Sequence, residues 1–201
     1  MGKKKDQKAL EASKRYYVRQ ALKSEETNYR GLLVEAVCCV TPETEQSFVA
    51  VGVAPPQPIA GLMLVDTGAG QISVSFDVVQ ELGLQRMGEE TGVHGLGGQH
   101  SLGIHNARLL VPCVNAREGQ KFLDLRAPVR ALHSFNTSPE FQGLYSEERQ
   151  PARMLGILGR AFLQLGTLTY DGVNATYRID IADDVIAKPR IIIGPTGRIE
   201  T

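Results

Sequence analysis

"LMLVDTGAG", residues 62–70, runs four apolar residues into Asp66 and follows it with Thr67, Gly68, Ala69 and Gly70. An aspartate at the end of a buried strand is expensive, because desolvating a carboxylate costs far more than one hydrogen bond returns. As a turn former, Asp followed by Thr-Gly is ordinary. The context asks for more. An apolar strand delivers the acid, the Thr67 hydroxyl can donate and accept, and Gly68 lets the backbone approach its surroundings closely. Ala69 and Gly70 keep the turn small. Such a turn can hold a carboxylate against a second carboxylate, with a water bound between them.

Two carboxylates in one site cannot both ionise cheaply, so one keeps a proton while the other stays charged. The charged one takes a proton from water as that water attacks a carbonyl, and the protonated one donates to the carbonyl oxygen. The chain carries a single Asp-Thr-Gly and no Asp-Ser-Gly. Aspartates in "SFDVV", "FLDLR", "TYDGV" and "IDIADD" lack the following small-residue turn. One chain therefore supplies half a dyad, and a two-fold axis beside Asp66 would supply the other half from a second copy.

The rest of the sequence bounds this reading. At 201 residues, with 42% apolar and 22% charged residues, the chain suits one globular domain with a real core. Acids and bases balance at 22 each, so beyond the local Lys3–Lys4–Lys5 cluster nothing points to nucleic acid. No apolar run approaches a membrane span, and no apolar stretch backs the basic N-terminus as in a secretory signal. Cys38, Cys39 and Cys113 are odd in number and have no metal-ligand spacing, which reads as reduced thiols in a cytoplasmic protein.

Residues 3–30 read as a charged helical segment, so we divide the chain into an N-terminal helical extension, 1–30, and a mostly-β domain, 31–201. Short β-like runs follow: "LLVEAVCCV", "SFVAVGVA", "AGLMLVDT", "HSLGIHNARLLVPCV", "KFLDLRAPVRAL", "GTLTYDG" and "ATYRIDIA". "PPQP", 55–58, is a rigid turn. "SFDVVQELGL" is expected to be a helix with Phe76, Val79 and Leu82 on one face, ending at Gly83. The polar stretch 133–153 reads as an insertion, and "RIIIG" as a last strand.

Two further segments complete the pattern. "HGLGGQHSLG", 94–103, is glycine-rich between β-like flanks and suits a hairpin tip; it does not match a dinucleotide fingerprint. "GILGRAFL", 156–163, taken alone is a buried strand entering a helix. In this order, "LVDTGAG", a short helix, "HGLGG" and "ILGRAFL" resemble the retropepsin family, the single-domain aspartic proteases of retroviruses and their cellular and bacterial relatives. The resemblance spans roughly Val49 to Ile181.

The resemblance implies a closed β-barrel of the acid-protease fold and a homodimeric endopeptidase acting on protein or peptide, with no cofactor and no metal. Asp66 resembles the catalytic aspartate, and Thr67 the residue whose hydroxyl locks the two active-site loops across the dimer. Gly68, with Ala69 and Gly70, would meet the substrate backbone. Gly95, Leu96, Gly97 and Gly98 would form the flap that closes over it. Ile157, Leu158, Gly159 and Arg160 would support the site. The C-terminal strand around Ile191–Ile193 would interleave with its copy. The chain departs from the viral pattern at Gly70, where viral members carry an acid that pairs with the arginine of the Gly-Arg motif. It departs again at Ala161, where they carry Asn or Asp. Those departures keep open a second reading, a fold retained for dimerisation or peptide binding with little turnover. His94, His100 and His105 have spacings unlike a helical zinc site, and we assign them to the solvent-facing hairpin.

Overall fold

The computed structural model describes residues 15–21, 27, 30–95, 98–115, 118–133 and 152–200, without the side chains of 93–95 and 98–100. The longest strands explain themselves. In β7, Gly119–Leu132, alternate residues Leu123, Leu125, Ala127, Val129 and Ala131 are buried. In β6, Gly98–Asn115, the same period buries Ala107, Leu109, Val111 and Cys113. A repeat of two puts every apolar side chain on one face of a strand, so the two strands pair with their apolar faces turned to a common core.

Those faces line a closed six-stranded barrel. β2, Leu33–Cys39, pairs antiparallel with β3, Ile59–Val65, and with β6. β3 runs parallel to β8, Met154–Leu158, and β8 pairs antiparallel with β4, Ser73–Ser75. β4 lies parallel to β7, and the β6–β7 pair closes the ring. The mostly-β expectation holds. β5, Arg86–Gly95, leaves the barrel as a hairpin arm with β6, and Gly95 pairs with Gly98 at its tip. Outside the ring, β9, Gly166–Asp171, and β10, Thr176–Ile181, form a second hairpin.

Four expectations need correction. The stretch "SFVAVGVA" is not a strand: its first four residues lie in α1, Pro42–Ala50. Thr41 caps this helix by accepting from the Thr44 N–H, Pro42 fits the first turn, and Glu43 and Glu45 complement its N-terminal dipole. In α2, Phe76–Glu81, Val78 and Val79 are buried with Leu82 behind them, whereas Phe76 is 48% exposed. Gly83, at φ 57, ends that turn as expected.

The N-terminal extension is not helical throughout. Tyr17–Val18 form β1, which pairs with β10 and, through Tyr17, with β6. Aromatic and β-branched side chains suit an edge that two strands leave open. Thr27 and Arg30 are helical, as read. Residues 3–14, 22–26 and 28–29, and the insertion from 134 to 151, lie outside the described residues. Among the described residues no helix is long and apolar enough to cross a membrane.

The C-terminal expectation also changes. β11, Ile191–Ile193, uses one edge on β7 and the other on β12, Ile199–Glu200. Both edges are thus filled within the chain, and among the described residues β12 rather than β11 ends the sheet. The residues between Ile193 and Ile199 turn through Gly197 at φ 79.

Candidate active site

The parallel pair β3–β8 fixes everything at the site. Val65 is opposite Leu158, so the two strands end side by side. Asp66 follows the first, and Gly159 and Arg160 follow the second. The Asp66 N–H donates to the Leu158 carbonyl at 3.1 Å, carrying the pairing one residue past the strand. Leu158 is fully buried and Ile157 partly so, which anchors the end of β8 in the core.

From there the chain turns back as a compact loop, 66–71. One Asp66 carboxylate oxygen, Oδ1, accepts from the Gly68 N–H at 2.7 Å. This bond sets the orientation of the carboxylate. A methyl on Gly68 would sit 3.1 Å from the same oxygen, so only glycine leaves it unhindered. Asp66 is half-buried, while Thr67, Gly68 and Gly70 are exposed.

The segment after β8 grips this loop. Arg160 N–H donates to Ala69 O at 2.9 Å, and Ala161 N–H to Gly70 O at 3.1 Å. Gly159 lies against the loop so closely that a methyl there would fall 2.3 Å from Gln71 O and 2.7 Å from Ala69 O. The helix that follows, α3, Arg160–Leu163, buries Ala161 and Phe162 in the core and so roots the grip. Arg160 Nη1 reaches the carbonyls of Thr67 and Gly68, both at 3.1 Å. A Cβ on Gly70 would stand 3.7 Å from Arg160 Nη2, an ordinary contact, so a side chain there has room beside the guanidinium.

The residues read from the sequence thus fall into two groups. Asp66, Thr67, Gly68, Ala69 and Gly70 come together with Ile157, Leu158, Gly159 and Arg160. Gly95 and Gly98 sit at the tip of a separate hairpin arm; Leu96 and Gly97 lie outside the described residues. No hydrogen bond among the described residues joins that tip to the Asp66 loop. Sequence reading missed Gln71 and Gln164, ordinary surface amides in pattern. Gln164 Nε2 donates to Ala161 O at 2.6 Å and to Gly197 O at 2.5 Å.

Other chemistries find less. His105 is not solvent-facing: it is 9% exposed, with Nδ1 2.9 Å from Leu84 O, because its place on β6 lies at the base of the hairpin arm. The side chains of His94 and His100 are outside the description. Among the described residues no group of three His, Cys, Asp or Glu is arranged to hold a metal. Cys38, Cys39 and Cys113 are free and buried. Burial pushes the Cys38 and Cys113 thiols up to about 12 and raises Cys39, which leaves them protonated and poor nucleophiles. Compared with known proteins, the chain matches no family model and no curated relative.

Proposed function

We propose that the chain is an aspartic endopeptidase of the retropepsin type, acting as a homodimer in which Asp66 of each copy faces the other. The observation that carries this reading is the clamped loop: an oriented, half-buried carboxylate at the end of β3, held across a parallel strand pair by Gly159, Arg160 and Ala161. A carboxylate fixed by the scaffold costs no reorganisation when charge develops at the reacting carbonyl. Thr67 is exposed beside it, which leaves its side chain open to a second copy across the proposed two-fold axis.

In this reading one Asp66 carboxylate removes a proton from the bound water as the water attacks the peptide carbonyl. The protonated partner carboxyl donates to the carbonyl oxygen, and the tetrahedral intermediate collapses with proton transfer to the leaving amine. Turnover requires one shared proton, so activity is favoured in mildly acidic solution. The buried, unpaired thiols support a reducing compartment such as the cytoplasm.

The test is cleavage of a peptide library by the purified chain, with Asp66→Asn as control. Cleavage lost in Asp66→Asn, blocked by statine-type analogues and indifferent to chelators is the expected result. Full activity in Asp66→Asn would overturn the reading. One observation favours the alternative of a binding module without turnover: the Gly68 carbonyl, which substrate backbone would engage, already accepts from Arg160. Peptide retention without cleavage in the same library would establish that alternative.

A further inference from the structure

We propose that the C-terminal hairpin, Ile191–Glu200, is a positioning element for the Asp66 loop, acting through Gln164 and Gln71. The proposal rests on the reading of Asp66 as the catalytic group. Three layers are joined in series. The first is the loop 66–71. The second is the Gly159–Gln164 segment, which donates to the loop through the Arg160 and Ala161 N–H groups. The third is the hairpin turn, closed on itself by Gly194 N–H to Arg198 O at 2.8 Å and Gly197 N–H to Gly194 O at 2.9 Å.

Two amides join the third layer to the others. Gln164 spends its two Nε2 hydrogens on carbonyls of different layers, Ala161 O and Gly197 O. Gln71, at the end of the catalytic loop, lays its side-chain amide on the bare face of Gly197. A methyl at Gly197 would lie 2.6 Å from Gln71 Oε1 and 2.7 Å from its Nε2. The positive φ of Gly197 favours glycine, and any Cβ there would displace the Gln71 amide. The hairpin is also fixed from outside, since Ile191 and Ile192 pair with Leu125 and Arg126 of β7. A barrel strand therefore holds the hairpin, and the hairpin holds both segments that shape the carboxylate.

A plain sheet extension would need none of this. β11 could end the sheet on β7 with its turn in solvent. Instead the turn is directed back over the loop, and its Gly197 carbonyl is taken by a residue that also caps α3.

Amide hydrogen exchange on the full-length protein tests the coupling without relying on turnover. In the wild type, the amides of Asp66, Gly68, Arg160 and Ala161 should open together with those of Gly194 and Gly197. In Gln164→Glu, which keeps the shape but loses both donors, the four loop and clamp amides should exchange about tenfold faster or more. Gly197→Ala, which displaces Gln71, should do the same with the Gln164 donors intact. Against a cleaved peptide, both variants should lower kcat by about tenfold or more with little change in KM, as expected when a reacting group is misplaced. Rapid exchange of the hairpin amides beside an unchanged loop, in wild type or either variant, would overturn the proposal. So would wild-type kcat in both variants. A wild type that cleaves no peptide would instead count against the reading of Asp66, while the exchange pattern would still decide the coupling.

Discussion

Arg160 Nη1 stands 3.1 Å from the carbonyl oxygen of Thr67, and the same nitrogen lies equally far from that of Gly68. A charged side chain from the end of β8 thus holds the backbone of a loop that begins at the end of β3. The partners of this guanidinium nitrogen are two carbonyl dipoles and not a carboxylate. They bind it less strongly than a carboxylate would, because only one partner of each hydrogen bond is charged.

Arg160→Ala should loosen the loop without unfolding the barrel. The guanidinium is exposed, so the loss in stability should stay near 1 kcal/mol. Peptide cleavage should fall by about tenfold or more, since the carboxylate loses its fixed aim. Thermal melting and steady-state kinetics on the same preparation separate the two effects.

Gly70→Asp tests the vacant place beside Arg160. Its Cβ would meet Arg160 Nη2 at 3.7 Å, so the substitution should fold. The new carboxylate should draw the guanidinium from the Thr67 and Gly68 carbonyls, freeing Gly68 O for a peptide. Affinity for a peptide analogue should rise, and it should rise less in high salt. Titration calorimetry at two ionic strengths measures both.

Gly159→Ala should be the most damaging single methyl near the site. The added carbon would meet two backbone oxygens, Gln71 O and Ala69 O, and backbone cannot swing aside as a side chain can. A cost on the order of 3 kcal/mol follows from overpacking of this kind. Urea denaturation of the variant against wild type gives the value directly.

Thr67→Ala should weaken association rather than fold. Thr67 is exposed in the single chain and no described hydrogen bond uses its hydroxyl, so losing it should leave the melting temperature of dilute protein nearly unchanged. The dimer of the proposed enzyme should dissociate at higher concentration in sedimentation. Specific activity should then fall on dilution sooner than in wild type.

The thiols predict a pH effect with a definite sign. Burial raises Cys38 and Cys113 from 9.0 to about 12 in the folded protein, so folding favours their neutral form. Their contribution to stability is complete below the unfolded value and is lost as pH rises from there through about 12. Urea midpoints should therefore fall above pH ~9, and Cys38→Ala/Cys113→Ala should flatten that decline. At pH ~8 an aromatic disulfide reagent should label the native thiols far more slowly than the unfolded ones.

How much of this could be read from the residues follows from the range of the forces involved. β6 was legible as the nearly continuous apolar run "LLVPCV", and β7 because Leu123 and Leu125 flank Asp124 and Arg126 follows them. The Asp66 turn was legible because small residues crowd after an acid. α1 was misread because Val49, Val51 and Val53 also alternate, while the signals that start the helix, Thr41 and Pro42, lie upstream of them. Val49, Val51 and Val53 are exposed, so their alternation served no buried face. Tyr17–Val18 became a strand only because β6 and β10, distant in sequence, leave an edge for it. Nothing in Gln71 or Gln164 marks them locally, since their partners come from other turns of the chain. Arg160 was recognised in sequence, but its partners were not, because Thr67 and Gly68 offer backbone atoms that every residue has.

The pairing of β3 with β8 also governs when the site can exist. β3 ends at Val65, but its parallel neighbour begins only at Met154, after the whole hairpin arm and the long β6–β7 pair have been made. Contacts this remote in sequence close late, because loop entropy must be overcome before they return any energy. A chain emerging from the ribosome therefore carries Asp66 long before it carries the Arg160 clamp. Nascent and truncated forms hold the acid on an unbraced loop, and the oriented carboxylate is among the last features that folding completes.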